Sequence, residues 1–234
     1  MVAGCGRVGF DAIEGGAPDA GDASADVGPQ ANLILHYTFD DDPSDGADDA
    51  VGGHPAACDT LCPQSDLGHL DGGFLFNGAD EALVIADAPD LRPTSITVAT
   101  WLFGVTSSGG TIAAKSYGNG GRESWQLSVT TQGALEICTR TDESTQRCDA
   151  MGNVPPAEWH HVAYVQDGSV HRSYLDGIRL LEAPVSPRYD GGSLTIGVDL
   201  DGEQATGYLR GILDDLRIYD GALSDAEIAG LAAD

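Results

Sequence analysis

The sequence predicts an all-β fold, a two-sheet antiparallel sandwich or jelly roll with one short C-terminal helix. Three observations predict it. Short apolar, β-branched and aromatic runs recur along the chain, divided by Gly, Pro, Asn and Asp turn chemistry. Gly supplies 32 of the 234 residues, which suits frequent tight turns. A single segment, close to the C-terminus, carries a complete helix-start signal, and the helical pattern that a parallel α/β sheet needs between its strands is missing.

The elements follow in order. Leu33 to Phe39 is apolar and aromatic and runs into the acidic turn Asp40-Asp41-Asp42-Pro43. Phe74-Leu75-Phe76 stops at Asn77-Gly78, and Leu83-Val84-Ile85 precedes Asp87-Ala88-Pro89. Ser95 to Phe103 alternates, with Ile96, Val98, Thr100 and Leu102 on one face. Further strands are expected at 111–114, 124–129, 134–138, 160–165, 170–175 and 193–196, with hairpin turns at Asp167-Gly168 and Asp176-Gly177. Gly207 to Asp220 reads as a strand closing a sheet, with Leu216, Ile218 and Tyr219 suited to a half-buried surface and Arg217 pointing the other way. Ser224 and Glu227 then form a capping box, with Leu223 and Ile228 as a hydrophobic staple. Trp101 and Trp159 stand at or beside strands and are expected to fill the core between the sheets. His160 and His161 are adjacent on a strand and so face opposite ways. No nucleophile motif accompanies them, and they read as structural histidines.

Composition narrows the function classes. The formal net charge is -26, from 37 acidic and 11 basic residues, and such a surface repels nucleic acid and anionic lipid. No run approaches the roughly 18 apolar residues of a membrane helix. Cys58 and Cys62 share a loop, and Cys138 and Cys148 flank a polar hairpin-like stretch, so two local disulfides suit both pairs in an oxidising compartment. A zinc site built from the same four cysteines is the rival, although it lacks a tight C-x-x-C knuckle. Cys5 is left over. It follows Val2-Ala3-Gly4, which looks like the end of a bacterial lipobox, and so predicts a lipid anchor as the one membrane contact; the basic and apolar parts of a signal peptide do not stand upstream of it, as for a truncated start. The rival is a free cysteine on a frayed terminus. Residues 11–31 are rich in Gly, Ala, Asp and Pro with almost no large apolar side chain, so residues 1–31 are expected to be a lipobox-like start and disordered tether ahead of one domain at 32–234.

Several segments, in order, resemble the LamG-like jelly-roll domains of the concanavalin A-like lectin/glucanase superfamily. They are Leu35-His36-Tyr37-Thr38-Phe39-Asp40, Leu75 to Val84 with its Phe76-Asn77-Gly78, Ser95 to Trp101, Trp159-His160-His161-Val162-Ala163, Tyr174-Leu175-Asp176-Gly177, and the ending Ile212 to Tyr219 followed by Leu223-Ser224 and Glu227-Ile228. The resemblance implies one structural Ca²⁺ joining the first and last strands, with Asp40 and Asp214 at the matching positions and Asp80 as a third candidate. The rival role for Asp214 is a turn cap, or an ion pair with Arg210 or Arg217.

The paired-carboxylate E-x-D-x-x-E strand of the related retaining glycosidases does not occur in the sequence. Sugar binding by family analogy calls for an aromatic platform beside polar groups. The candidates are Tyr117, Asn119 in the Gly-rich loop that follows it, Trp125, which equally suits the core, and Tyr189. The reading is a non-catalytic, exported module, extracellular or tethered to the outer membrane or cell surface, that binds glycan or a cell-surface protein. The alternatives are a structural or adhesive envelope lipoprotein without sugar binding and, more remotely, a glycoside hydrolase.

Overall fold

The computed structural model describes Met1 and residues 31–104, 109–117, 123–142, 145–201 and 204–234. Two antiparallel sheets face one another, as the alternating strands require. The eight-stranded sheet contains β1 (Leu33–Tyr37), β3 (Gln64–Leu67), β4 (Gly72–Asn77), β6 (Ile96–Phe103), β11 (Trp159–Gln166), β12 (Val170–Leu175), β13 (Ile178–Pro184) and β17 (Arg210–Tyr219). Its order is β13-β12-β11-β6-β17-β4-β3, with β1 also paired to β17. The seven-stranded sheet contains β2 (Ala57–Cys58), β5 (Leu83–Ile85), β7 (Gly110–Ser116), β8 (Glu123–Val129), β9 (Leu135–Arg140), β10 (Gln146–Met151) and β14 (Leu194–Ile196), in the order β10-β9-β8-β7-β14-β5-β2. A small hairpin pairs β15 (Asp199–Asp201) with β16 (Gln204–Thr206). Strands β3, β10 and β13 are largely solvent-exposed edge strands, and the polar sequences of β3 and β10 carry little alternation to betray them.

The core lies between the sheets. Ile96, Val98 and Leu102 of β6 meet Val162 and Tyr164 of β11, Phe74 and Phe76 of β4, and Trp125, Leu127 and Ile137 from the opposing sheet. A smaller cluster forms on the outer face of the eight-stranded sheet, where α1 (Asp225–Leu231) covers Ala99, Ala163, Val165 and Tyr174 with Leu223 and Ile228. The capping box is complete: Ser224 accepts from the Glu227 amide, and the Glu227 carboxylate accepts from the Ser224 amide. Both expected hairpin turns form, with Gly168 at φ +87 and Gly177 at φ +74, where a side chain would be strained.

Both cysteine pairs are bonded. Cys58–Cys62 closes a short loop, and Cys138–Cys148 joins residues directly opposite each other on β9 and β10. All four cysteines are thereby consumed, and the zinc alternative falls. Cys5 lies outside the described residues. No described helix is long and apolar enough to cross a membrane.

One expectation is corrected. Trp101 and Trp159 do not fill the inter-sheet core. On β6 the core side is taken by Ile96, Val98 and Leu102, so strand alternation sends Trp101 and Phe103 to the outer face. Val162 and Tyr164 take the core side of β11 in the same way, and Trp159 and His161 point outward with Ala163 and Val165. The tryptophan of the core is Trp125.

Candidate functional site

Register places an apolar row across the outer face of the eight-stranded sheet. Leu75 of β4 is opposite Ile212 of β17, Ile212 is opposite Phe103 of β6, and Phe103 is opposite Trp159 of β11. All four side chains are only half-buried. Four neighbouring strands at about 4.8 Å spacing make the row about 14 Å long. The rings of Phe103 and Trp159 lie 5.4 Å apart and tilted by 47°. A cavity of about 350 Å³ opens here, lined by Asp66, Leu67, Gly68, Phe103, Trp159 and Ile212. Aromatic rings, aliphatic side chains and one exposed carboxylate therefore share a solvent-open face, whereas the outer face farther along β6 and β11 is sealed by α1.

The neighbouring row contains Asp214, Trp101 and His161, paired in register, with Gly73 of β4 beside Asp214. Gly73 leaves a trough. A Cβ there would meet Ile212 Cγ2 at 2.9 Å and Gly68 Cα at 3.1 Å, so the missing side chain lets the β3–β4 turn fold back over the sheet. That turn carries His69, whose ring lies flat on Trp101 with centroids 3.5 Å apart and planes at 17°, and meets Trp159 edge-on at 6.0 Å. His161 approaches Trp101 edge-on at 5.4 Å from the neighbouring strand.

Asp214 stands at a break in the sheet. Strand β4 pairs with β17 as far as Leu213, β1 pairs with it from Leu216 onward, and β17 bulges between, with Asp215 at φ +52. This gap is where Asp40, just beyond β1, approaches Gly72 at the start of β4. Asp214 Oδ2 accepts from the Leu70 amide at 2.8 Å, the His69 amide also donates to this carboxylate, and Asp40 Oδ1 accepts from the Gly72 amide at 2.8 Å. Burial raises the Asp214 pKa to about 6, the Leu70 and His69 amides oppose the rise, and the charges of Asp215 and Asp40 add to it. Burial likewise lowers the His161 pKa to about 4, with the nearby Arg217 in the same direction and Asp176, Asp215 and Asp234 against it.

The structure thus brings Asp40 and Asp214 to one place, as the resemblance implied, but as acceptors that hold a turn. Asp80 is at the opposite end of β4, where its Oδ1 accepts from Asn77 Nδ2 at 2.8 Å. Among the described residues no group of three or more His, Cys, Asp or Glu is arranged to hold a metal ion. Ca²⁺ wants six to eight oxygens, and of the three carboxylates expected to share it only Asp40 and Asp214 come together, each with one oxygen turned toward a backbone N–H group.

Of the aromatic ligand candidates, Trp125 belongs to the core. Trp125 is 1% exposed and stacks on Tyr164 in the core, so its strand position decided its role. Tyr117 is half-buried with the Arg140 guanidinium 4.0 Å above its ring. Tyr189 is half-buried, donates to Gln166 Oε1 at 3.4 Å, and burial pushes its pKa up. Asn119 lies outside the described residues. A second groove of about 420 Å³, on the other sheet, is lined by polar groups that mostly bond one another: Gln126 to Thr111 and Asp199, and Ser128 to Glu136. The outer row escaped sequence reading because its four members come from four segments, and only strand register aligns them.

A family model described as the concanavalin A-like lectin/glucanases superfamily matches residues 77–229. The chain belongs to this superfamily. The matched span contains Phe103, Trp159 and Ile212 but not β1 or Asp40. No curated protein matches the chain. Among solved structures, the concanavalin A-like fold recurs in domain 4 of AbnA, a GH43 extracellular arabinanase from Geobacillus stearothermophilus in complex with arabinotriose. That match has 20% identity and a TM-score of 0.66, and it covers 87% of this chain and 100% of that one. It recurs in the binding domain of botulinum neurotoxin DC in complex with rat synaptotagmin II (14% identity, TM-score 0.61, covering 86% and 51%). A third match is a botulinum neurotoxin type C structure whose cell entry depends on interaction with two ganglioside molecules (14% identity, TM-score 0.62, covering 86% and 50%). The chain spans about half the length of these toxin structures. At such identities the likeness is one of fold.

Proposed function

We propose that this domain is a non-catalytic recognition module that binds carbohydrate on the outer face of its eight-stranded sheet, with Trp159 and Phe103 as the stacking platform. The observation that carries the reading is the half-buried aromatic row opening into the cavity beside Asp66. Aromatic side chains offer a large apolar surface to the C–H face of a sugar, and a neighbouring carboxylate accepts from its hydroxyls. Sugar and receptor ligands on other domains of this fold support the choice of a binding role. The proposal includes export and tethering through a lipid on Cys5, supported by the Val2-Ala3-Gly4-Cys5 sequence and by two disulfides, which persist in oxidising compartments.

A glycan array tests the binding role. Wild-type protein is expected to retain a glycan class that Trp159→Ala loses while still folded at the assay temperature, because Trp159 is only half-buried. Equal retention by both proteins would overturn the assignment of the site. Absence of any enrichment would overturn the carbohydrate reading and leave the structural or adhesive role. Mass spectrometry of the membrane-associated protein, with Cys5→Ser as the control, tests the anchor.

A further inference from the structure

We infer that the face of Trp101 now covered by His69 is a second sugar-stacking subsite, continuous with the Trp159 platform and capped by the Gly68–Asp71 turn. The inference rests on the carbohydrate reading above and deepens it by adding a subsite and a specificity-determining residue.

The His69 ring occupies the position a stacked ligand ring would take. It lies flat on the Trp101 indole at 3.5 Å, while its edge faces Trp159 at 6.0 Å. The 350 Å³ cavity lies beside this stack, with Gly68 of the same turn and Trp159, which His69 meets edge-on, in its wall. Trp101, beneath His69, is 7% exposed and its neighbour His161 is 2% exposed, yet Trp101 Nε1 and His161 Nδ1 have no hydrogen-bond partner among the described residues. Buried polar groups of this kind are normally satisfied, and leaving them open is costly. A sugar hydroxyl both donates and accepts, so it can meet the indole N–H and either tautomer of the imidazole, which an apolar ligand cannot do.

Apart from the His69 ring on Trp101, the cap is fastened by a few polar contacts. The His69 and Leu70 amides reach Asp214, the Gly68 amide reaches Asp71 O, and the Gly72 amide reaches Asp40. The flanking Leu67 and Leu70 are 80% and 40% exposed, so no apolar side chain pins the turn to the sheet. With such fastening the His69 ring can leave while the backbone of the turn stays in place. A ligand of one ring uses the Trp159 platform alone, whereas a longer one must displace His69.

The test is calorimetric titration of wild type, His69→Ala, Trp159→Ala and the double variant His69→Ala/Trp101→Phe with arabinotriose, xylotriose, cellotriose and laminaritriose, each beside its monosaccharide. His69→Ala is expected to bind a trisaccharide about fivefold more tightly than wild type, equivalent to about 1 kcal/mol, with the monosaccharide unchanged. The double variant is expected to lose the gain. Trisaccharide binding that depends on Trp159 but is equal in wild type and His69→Ala would overturn the subsite alone. A gain that survives Trp101→Phe in full would also overturn it. Absence of binding by every protein would overturn both the subsite and the carbohydrate reading.

Discussion

Asp214→Asn should make this protein more stable at neutral pH, although it removes a charged acceptor that two backbone amides share. The Asp214 carboxyl titrates near 6 in the fold against 3.8 for a free aspartate, chiefly because it is buried. Between those values the folded chain holds a proton that the unfolded chain releases, so the group lowers stability as pH rises through the window. Each pH unit between the two pKa values is worth about 1.36 kcal/mol, so the cost reaches about 3 kcal/mol above pH 6. Asparagine keeps an acceptor for the Leu70 amide and has no such cost. Urea denaturation of both proteins from about pH 4 to 7 is the assay. The variant is expected to match wild type near pH 4 and to exceed it by about 3 kcal/mol at pH 7. A stability difference that stays flat across this range, or a variant weaker than wild type at pH 7, would refute the reasoning. His161 supplies the mirror image. Its pKa falls from 6.5 to about 4, so its contribution is intact above pH 6.5 and is lost as pH falls toward 4. The magnitude is again about 3 kcal/mol, and the two buried neighbours of Trp101 largely cancel in the wild type. His161→Phe should therefore leave the Asp214 slope alone, with stability falling as pH rises from about 4 to 6, while Asp214→Asn should leave the His161 slope, with stability rising over the same range.

Three further outcomes follow from the packing. Removing the Cys138–Cys148 bridge by a double Cys→Ser change should cost roughly 2–3 kcal/mol in urea denaturation, the value for a loop with the observed sequence separation of 10, and an unchanged midpoint would refute it. Gly73→Val should destabilise by about 1–3 kcal/mol and should expose Trp101 to an aqueous fluorescence quencher, because the new side chain meets Ile212 and Gly68 and drives the His69 turn off the sheet. Melting in calcium and in EDTA should give the same midpoint, since Asp40 and Asp214 face backbone amides and Asp80 lies apart; a calcium-dependent rise abolished by Asp214→Asn would restore the shared-metal reading.

Much of the fold was legible in the sequence because it is written locally. Alternation in Ser95 to Phe103 assigned Ile96, Val98 and Leu102 to one core face, Asp176-Gly177 marked a hairpin, and Ser224 with Glu227 marked a helix start. The cysteine spacing already suited the two disulfides. Exposed edge strands such as Gln64–Leu67 and Gln146–Met151 were not legible, because polar residues held on one side only carry no burial pattern.

The functional face was the least legible part. Residue type alone made Trp101 and Trp159 core candidates, yet strand parity turned them outward and brought Trp125 inward. The sequence by itself determined which segments pair with water and which with apolar surroundings, since that depends on neighbours along the chain. Only the tertiary structure decided that Leu75, Ile212, Phe103 and Trp159 share a row, because cross-strand register aligns residues from four separate segments. It also decided that Asp40 and Asp214 meet, because β4 and β1 end against the same stretch of β17 and leave backbone amides there to be held.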